Sequence, residues 1–66
     1  MIVRVNGDQT EMIDGATIAQ LLDRLNLNAS HVAVEVNLEL IPRERHLQFR
    51  LSAGDQLEIV TLVGGG

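Results

Sequence analysis

One stretch of the chain combines a helix start signal with the periodicity of an amphipathic helix. Thr17 and Gln20 have the spacing of a capping box, in which each side chain accepts a hydrogen bond from the other residue's backbone N–H. The apolar residues that follow occupy positions i, i+3, i+4 and i+7 of one helix face: Ile18, Leu21, Leu22 and Leu25. Asn26 can stop the helix in a left-handed conformation, so we predict a helix over residues 18–26. A helix this short must bury its apolar face against the rest of the chain.

The rest of the chain consists mainly of short segments with strand-like alternation, separated by turn residues. We predict strands at residues 2–6, 9–13, 31–37, 38–41 and 56–63. The inward residues of the third strand and the last strand are Val32, Val34, Val36, Leu57 and Ile59. The order β-β-α-β-(β)-β predicts a two-layer α+β domain, with a mixed four- to five-stranded sheet and one main helix packed across one face.

Three segments are less regular. Met12 and Ile13 are adjacent apolar residues, which leaves the inward face of the second strand open. Pro42 confines the fourth strand to an edge of the sheet. Residues 43–46 are polar and predict a turn or a single helical turn, and the apolar residues of 47–51 alternate again.

Length and composition exclude several function classes. A chain of 66 residues forms one small domain with little material for a deep cleft, so a self-contained enzyme is not expected. The net charge of −4 and a single aromatic residue, Phe49, argue against nucleic acid as a partner. The longest apolar runs are far shorter than a membrane span, so we expect a cytoplasmic protein with no membrane partner.

The polar residues form no motif typical of a catalytic or metal site. His31 and His46 are far apart in sequence and are expected to be solvated loop residues, so no metal site is predicted. Glu35 alternates with buried valines and can form an acidic face with Glu39 and Glu58, although scattered surface carboxylates are ordinary. The chain has no cysteine, which excludes disulfides, thiolate ligands and a thiol nucleophile.

The last strand runs directly into Gly64-Gly65-Gly66. We therefore divide the chain into a folded domain, 1–63, and a flexible glycine tail, 64–66. Fully extended, three residues carry the α-carboxylate about 10 Å beyond the sheet, and such a thread fits a channel too narrow for side chains. Val60 and Leu62 alternate with the inward residues and are candidates for a docking surface beside the tail; a twist or bulge that turns one of them inward is the alternative.

Three stretches resemble a known family: 17–22 at the helix start, 32–37 leading to 41–43, and 54–66. The chain is similar to β-grasp, ubiquitin-like domains and, among them, to the ThiS family of sulfur carriers in bacterial thiamine biosynthesis. The resemblance covers essentially the whole chain. Molybdopterin-synthase small subunits and ubiquitin-like modifiers share the terminal Gly-Gly.

The resemblance implies a carrier protein and not an enzyme. An E1-like adenylyltransferase would use ATP to adenylate the carboxylate of Gly66, with Gly64 and Gly65 threading the tail into that partner. A sulfur donor protein would then convert Gly66 to a thiocarboxylate, which a thiazole synthase consumes; no cofactor is bound stably. Because cysteine is absent, the C-terminus is the only place where this chain could carry sulfur. The alternatives are a molybdopterin-type sulfur carrier and a β-grasp interaction module with incidental glycines.

Overall fold

The computed structural model describes residues 1–62, and the predicted tail lies outside this range together with Val63. Five strands form one mixed sheet in the order β2-β1-β5-β3-β4. Their bounds are β1 Ile2–Val5, β2 Asp8–Glu11, β3 Val32–Val36, β4 Glu39–Ile41 and β5 Gln56–Thr61. The helix α1 spans Ile18–Arg24, and single 3₁₀ turns span Ala29–His31 and Arg43–Arg45. The predicted α+β architecture, with a mixed sheet and one main helix, is confirmed.

The last strand lies at the centre of the sheet. β5 pairs in parallel with β1 and antiparallel with β3, while β1–β2 and β3–β4 are antiparallel hairpins on either side. β4 is an edge strand followed by Pro42, as predicted. Within residues 1–62, no helix is long and apolar enough to cross a membrane.

The core lies between α1 and one face of the sheet. The helix contributes Ile18, Leu21 and Leu22, each at most 2% exposed, and Leu25 is half-buried. The strands contribute alternate residues: Val3, Val5, Val32, Val34, Val36, Ile41, Leu57 and Ile59. Met12 is buried and Ile13 is exposed, which settles the inward face of the segment after β2. The opposite side of the sheet, which we name the open face, carries Arg4, Glu35, Leu40, Glu58 and Val60.

Both helix ends follow the sequence signals. Thr17 Oγ1 accepts from Gln20 N at 3.2 Å and Gln20 Oε1 accepts from Thr17 N at 2.8 Å, so the capping box is complete. Asn26 is left-handed with φ 58°. Its N–H donates to Asp23 O and that of Leu27 donates to Leu22 O, as in a Schellman motif. The regular helix ends at Arg24, two residues before the predicted end.

The segment 47–51 is not a regular strand. Leu47 is 76% exposed and Leu51 is buried, and the only β-bridge here joins Arg50 to Thr17. The carbonyls of His46 and Phe49 accept from Ala19 N and Ile18 N, two helix-start donors that have no partner within the helix. The segment therefore satisfies the start of α1 and does not add to the sheet, so its alternation was misleading.

The expectation that His46 is solvated is wrong. The residue is 3% exposed, and its Nε2 lies 3.1 Å from the carbonyl oxygen of Ile41. Because a carbonyl only accepts, Nε2 carries the proton in this contact. The turn at Arg43–Arg45 folds the chain back toward β4 and places this ring inside. His31 is exposed, as predicted.

The helix-on-sheet core predicts a large effect of side-chain truncation. Leu21→Ala should lower the free energy of unfolding by about 2–5 kcal/mol, and Val34→Ala by somewhat less, since both side chains are fully buried. Leu47→Ala is the matched control, because this leucine is exposed, and should change stability by less than about 0.5 kcal/mol. Urea unfolding followed by circular dichroism measures all three. Equal midpoints for Leu21→Ala and Leu47→Ala would contradict the packing of α1.

Candidate functional site

The candidate site begins with the strand that leads to the tail. β5 pairs with β3 over five positions, from Val36↔Leu57 to Val32↔Thr61. One further bond, from Leu62 N to His31 O at 2.8 Å, extends the pairing past the end of the strand. Gly64, Gly65 and Gly66, the predicted modification and threading residues, lie outside the described residues. What the structure places is their stem, which is hydrogen-bonded as far as Leu62.

The other side of β5 is held partly by a side chain. The ladder with β1 covers only Arg4↔Gln56 and Val5↔Leu57, because the chain turns away at Asn6, where φ is 51°. Beyond this point the side-chain amide of Asn6 replaces the backbone of β1. Ile59 N donates to Asn6 Oδ1 at 2.8 Å, and Asn6 Nδ2 donates to Ile59 O at 3.1 Å. An asparagine amide offers one acceptor and one donor, as a peptide unit does, so Asn6 extends the pairing by one step.

A second asparagine fixes the start of β5. Asn37 is also left-handed, with φ 51°, and its Oδ1 accepts from Gln56 N at 3.0 Å. Its Nδ2 donates to Asp55 Oδ1 at 3.0 Å, and Asp55 Oδ2 accepts from Ser52 N at 2.7 Å. These bonds tie the turn before β5 to the hairpin between β3 and β4. The strand that supports the tail is thus fixed at its start and along its length.

The two predicted docking residues are exposed. Val60 is 57% exposed and lies opposite Ala33 on the open face, and Leu62 is 52% exposed just past the strand. The alternative, that one of them turns into the core, does not occur. Leu40 is a further apolar side chain on this face, 62% exposed, which the sequence reading did not single out. Apolar surface therefore lies beside the point where the tail begins, although its use for docking is still a prediction.

The acidic face predicted from sequence is smaller than expected. Glu35 and Glu58 lie directly opposite each other on β3 and β5. Glu39 is placed opposite Val36, a residue of the buried face, so it does not belong with them. Neither Glu35 nor Glu58 forms an ion pair with another residue in 1–62. In the same range, no three His, Asp or Glu side chains are grouped as a metal site would require.

The sequence reading also missed Leu38. It occupies the β3–β4 turn with a left-handed φ of 71° and is 90% exposed. A shallow concavity of about 310 Å³ beside it is lined by Asn37, Leu38, Gln56 and Glu58. The available signal was the pair Asn37-Leu38 between two strands, at a position where Asn-Gly is the usual turn sequence.

Comparison with known proteins gives one consistent family. The sequence model of the ThiS family matches residues 3–66. The chain is 43% identical over 53 residues to the sulfur carrier protein ThiS of Bacillus subtilis, covering 80% of each chain. It is 39% identical over 62 residues to a thiazole synthase of Paramagnetospirillum magneticum, where the match covers 94% of this chain and spans only 19% of that protein.

The fold comparison agrees. The crystal structure of a thiamine biosynthesis protein (ThiS) from Geobacter metallireducens superposes with a TM-score of 0.85 at 30% sequence identity, and the match covers 100% of both chains. At this level of similarity the two chains share the β-grasp fold.

The role of Asn6 can be tested with a matched pair of substitutions. Asn6→Gly keeps a residue that tolerates positive φ but removes both bonds to Ile59, and should cost about 1–3 kcal/mol of unfolding free energy. The amide of Ile59 should also exchange faster with deuterium. Asn26→Gly is the control, since Asn26 has φ 58° but its side chain makes no hydrogen bond within residues 1–62. Equal stability of the two variants would show that the Asn6 amide does not hold β5.

Proposed function

Since the chain belongs to the ThiS family, we propose that it is a sulfur carrier of thiamine biosynthesis and that Gly66 is the carrying residue. The observation that supports this most directly is the position of β5. It is the central strand of the sheet, it is hydrogen-bonded up to Leu62, and it leads into the glycines. A fixed stem followed by residues without side chains suits a terminus that must enter the active site of another protein.

The chemistry begins at the terminal carboxylate. An α-carboxyl group has a pKa of about 3.3–3.7, so it is ionised at neutral pH and is a poor electrophile. An oxygen of the Gly66 carboxylate attacks the α-phosphate of ATP in an E1-like adenylyltransferase, and pyrophosphate leaves. A sulfur donor protein then delivers sulfur at the oxidation level of sulfide. This sulfur attacks the acyl carbon, the bond from that carbon to the AMP oxygen breaks, and AMP leaves, so the C–S bond of the thiocarboxylate forms with no net oxidation or reduction. This chain supplies the carboxylate and the glycine tail that carries it, and the adenylyltransferase supplies the catalytic groups.

The consumer of the thiocarboxylate is proposed to be a thiazole synthase. Support comes from the Paramagnetospirillum relative, because a segment similar to this chain forms part of a protein named thiazole synthase. Attachment within one polypeptide raises the local concentration of two modules that act together. The need for ATP and the absence of cysteine both favour the cytoplasm as the compartment.

The tail is tested by removing its last residue. Deletion of Gly66 should abolish sulfur loading, because the loss of one residue moves the carboxylate by roughly 3.3–3.6 Å. Gly65→Leu should also abolish loading, because the side chain would block a channel that fits only glycine. Both changes should leave the melting temperature unchanged. Intact mass spectrometry after incubation with ATP, a sulfur donor and the adenylating enzyme detects the exchange of one oxygen for sulfur. Leu47→Ala, a change far from the tail in sequence, is the control and should load normally. A truncated chain that still gains sulfur would refute the proposal.

The two exposed residues beside the tail are tested separately. Val60→Asp and Leu62→Asp should leave the domain folded and weaken its binding to the adenylating enzyme, because a carboxylate would be desolvated against an apolar surface. Leu47→Asp is the matched control, since Leu47 is exposed but lies outside the sheet. Interferometry with immobilised enzyme measures affinity, and circular dichroism checks folding. Equal affinities for all three variants would exclude docking at Val60 and Leu62, near the end of β5.

A further inference from the structure

The turn between β3 and β4 contains a leucine that the isolated fold does not explain. Asn37 and Leu38 have φ values of 51° and 71°, as in a type I′ turn, where the second residue is usually glycine. Of the large apolar side chains in residues 1–62, Leu38 is the most exposed, at 90%. A left-handed leucine is strained and here gains no burial in return. Glycine would relieve the strain and lose no packing, so the folded domain alone gives no reason for this side chain.

Leu38 is one wall of the concavity of about 310 Å³ on the open face. The amide of Asn37, another wall, is already occupied by Asp55 and the N–H of Gln56. The remaining polar groups are the side-chain amide of Gln56 and the carboxylate of Glu58, which make no hydrogen bond within residues 1–62. The concavity therefore combines an apolar wall with a carboxylate and an amide that are free to bind a ligand.

A second carboxylate lies next to this concavity. Glu35 is directly opposite Glu58 on β3, and side chains in such pairs have Cβ atoms roughly 4.5–5.5 Å apart, so like charges repel. Arg4, the arginine on the same face, forms no ion pair with either carboxylate. Arg4 lies beside Gln56 on β1, but its Nη1 donates to the carbonyl of Gly7 at 3.3 Å. This part of the surface carries two negative charges that no cation in residues 1–62 pairs with.

We propose that the end of the open face at the start of β5, beside Leu38 and Glu58, binds an arginine side chain of the adenylating enzyme. The aliphatic stem of the arginine would pack on Leu38, and its guanidinium would lie between Glu58 and Glu35. Arginine suits the site better than lysine because its planar head donates to two carboxylates at once and is more weakly hydrated. The site also suits the interface predicted around Val60. Gln56 and Leu62 are six positions apart along the chain, about 20 Å, which is within the breadth of an ordinary protein interface.

The identity of the partner rests on the proposed function, but the binding chemistry does not. The first experiment therefore uses a small probe, arginine capped at both ends, with capped citrulline as the neutral control of the same shape. In NMR titrations, capped arginine should shift the amide signals of Leu38, Gln56 and Glu58 in a saturable way in the millimolar range, and capped citrulline should not. Glu58→Gln should abolish these shifts, whereas Glu44→Gln, an exposed carboxylate outside the sheet, should preserve them.

The second experiment measures binding to the adenylating enzyme. Glu58→Gln and Glu35→Gln should each weaken it by up to about fivefold, which is the upper range for an exposed ion pair, and this loss should shrink at high salt. Leu38→Gly should also weaken binding. The melting temperature of this variant should be equal to or higher than that of the unchanged chain, because glycine relieves the strain at φ 71°. Glu44→Gln and Leu47→Ala should bind as the unchanged chain does.

The outcomes separate this inference from the function it extends. The inference is overturned if capped arginine and capped citrulline give the same shifts, or if the adenylating enzyme binds all the variants equally well. Loss of affinity only for a thiazole synthase would also overturn it, because the arginine would then belong to another enzyme. Failure of Gly66 to load sulfur would refute the carrier function, and the capped-arginine titration would still decide the chemistry of the concavity.

Discussion

The fold depends on the pairing of β5 with its two neighbours. The last strand of the chain is the central strand of the sheet, so the hairpins β1–β2 and β3–β4 are joined only through it. Leu57 and Ile59 bury its inner side against the core, and β3 pairs with it from Leu57 to Thr61. The first and last thirds of the chain must therefore meet before the sheet exists. As a result, the strand that precedes the glycines in sequence is a central strand and not an edge strand.

Asparagines in left-handed conformations solve three local problems of this arrangement. Asn26 ends the helix, Asn6 replaces the missing part of the β1 ladder, and Asn37 links the β3–β4 turn to the start of β5. Each of them needs positive φ, and two also need a side chain that both donates and accepts. Glycine meets the first requirement but not the second. The asparagine amides therefore contribute to the sheet in a way that the strand boundaries alone do not reveal.

Local signals in the sequence predicted much of this structure. The capping box, the left-handed stop at Asn26 and the valine alternation of β3 depend on neighbours within a few residues, and all three are confirmed. The burial of His46 and the irregular path of 47–51 depend on contacts with β4 and the start of α1, which periodicity does not encode. The position of Glu35 opposite Glu58 could not be predicted, because it depends on the register between β3 and β5. The left-handed conformation and the exposure of Leu38 could not be predicted either, because they depend on the geometry of the β3–β4 turn.

The two faces of the sheet contribute differently to stability, and the free energies involved explain how both can belong to one small domain. At about 0.05–0.15 kcal/mol per residue, a chain of 66 residues is stable by about 3–10 kcal/mol, and truncation of a single buried leucine such as Leu21 costs about 2–5 kcal/mol. The repulsion between opposed glutamates and the strain of one left-handed leucine each cost about 1 kcal/mol. The core beneath α1 can offset these costs, so the open face can keep side chains that do not stabilise the free protein. Such side chains are where a partner's contribution should be sought, since a bound partner can compensate the charge and cover the leucine.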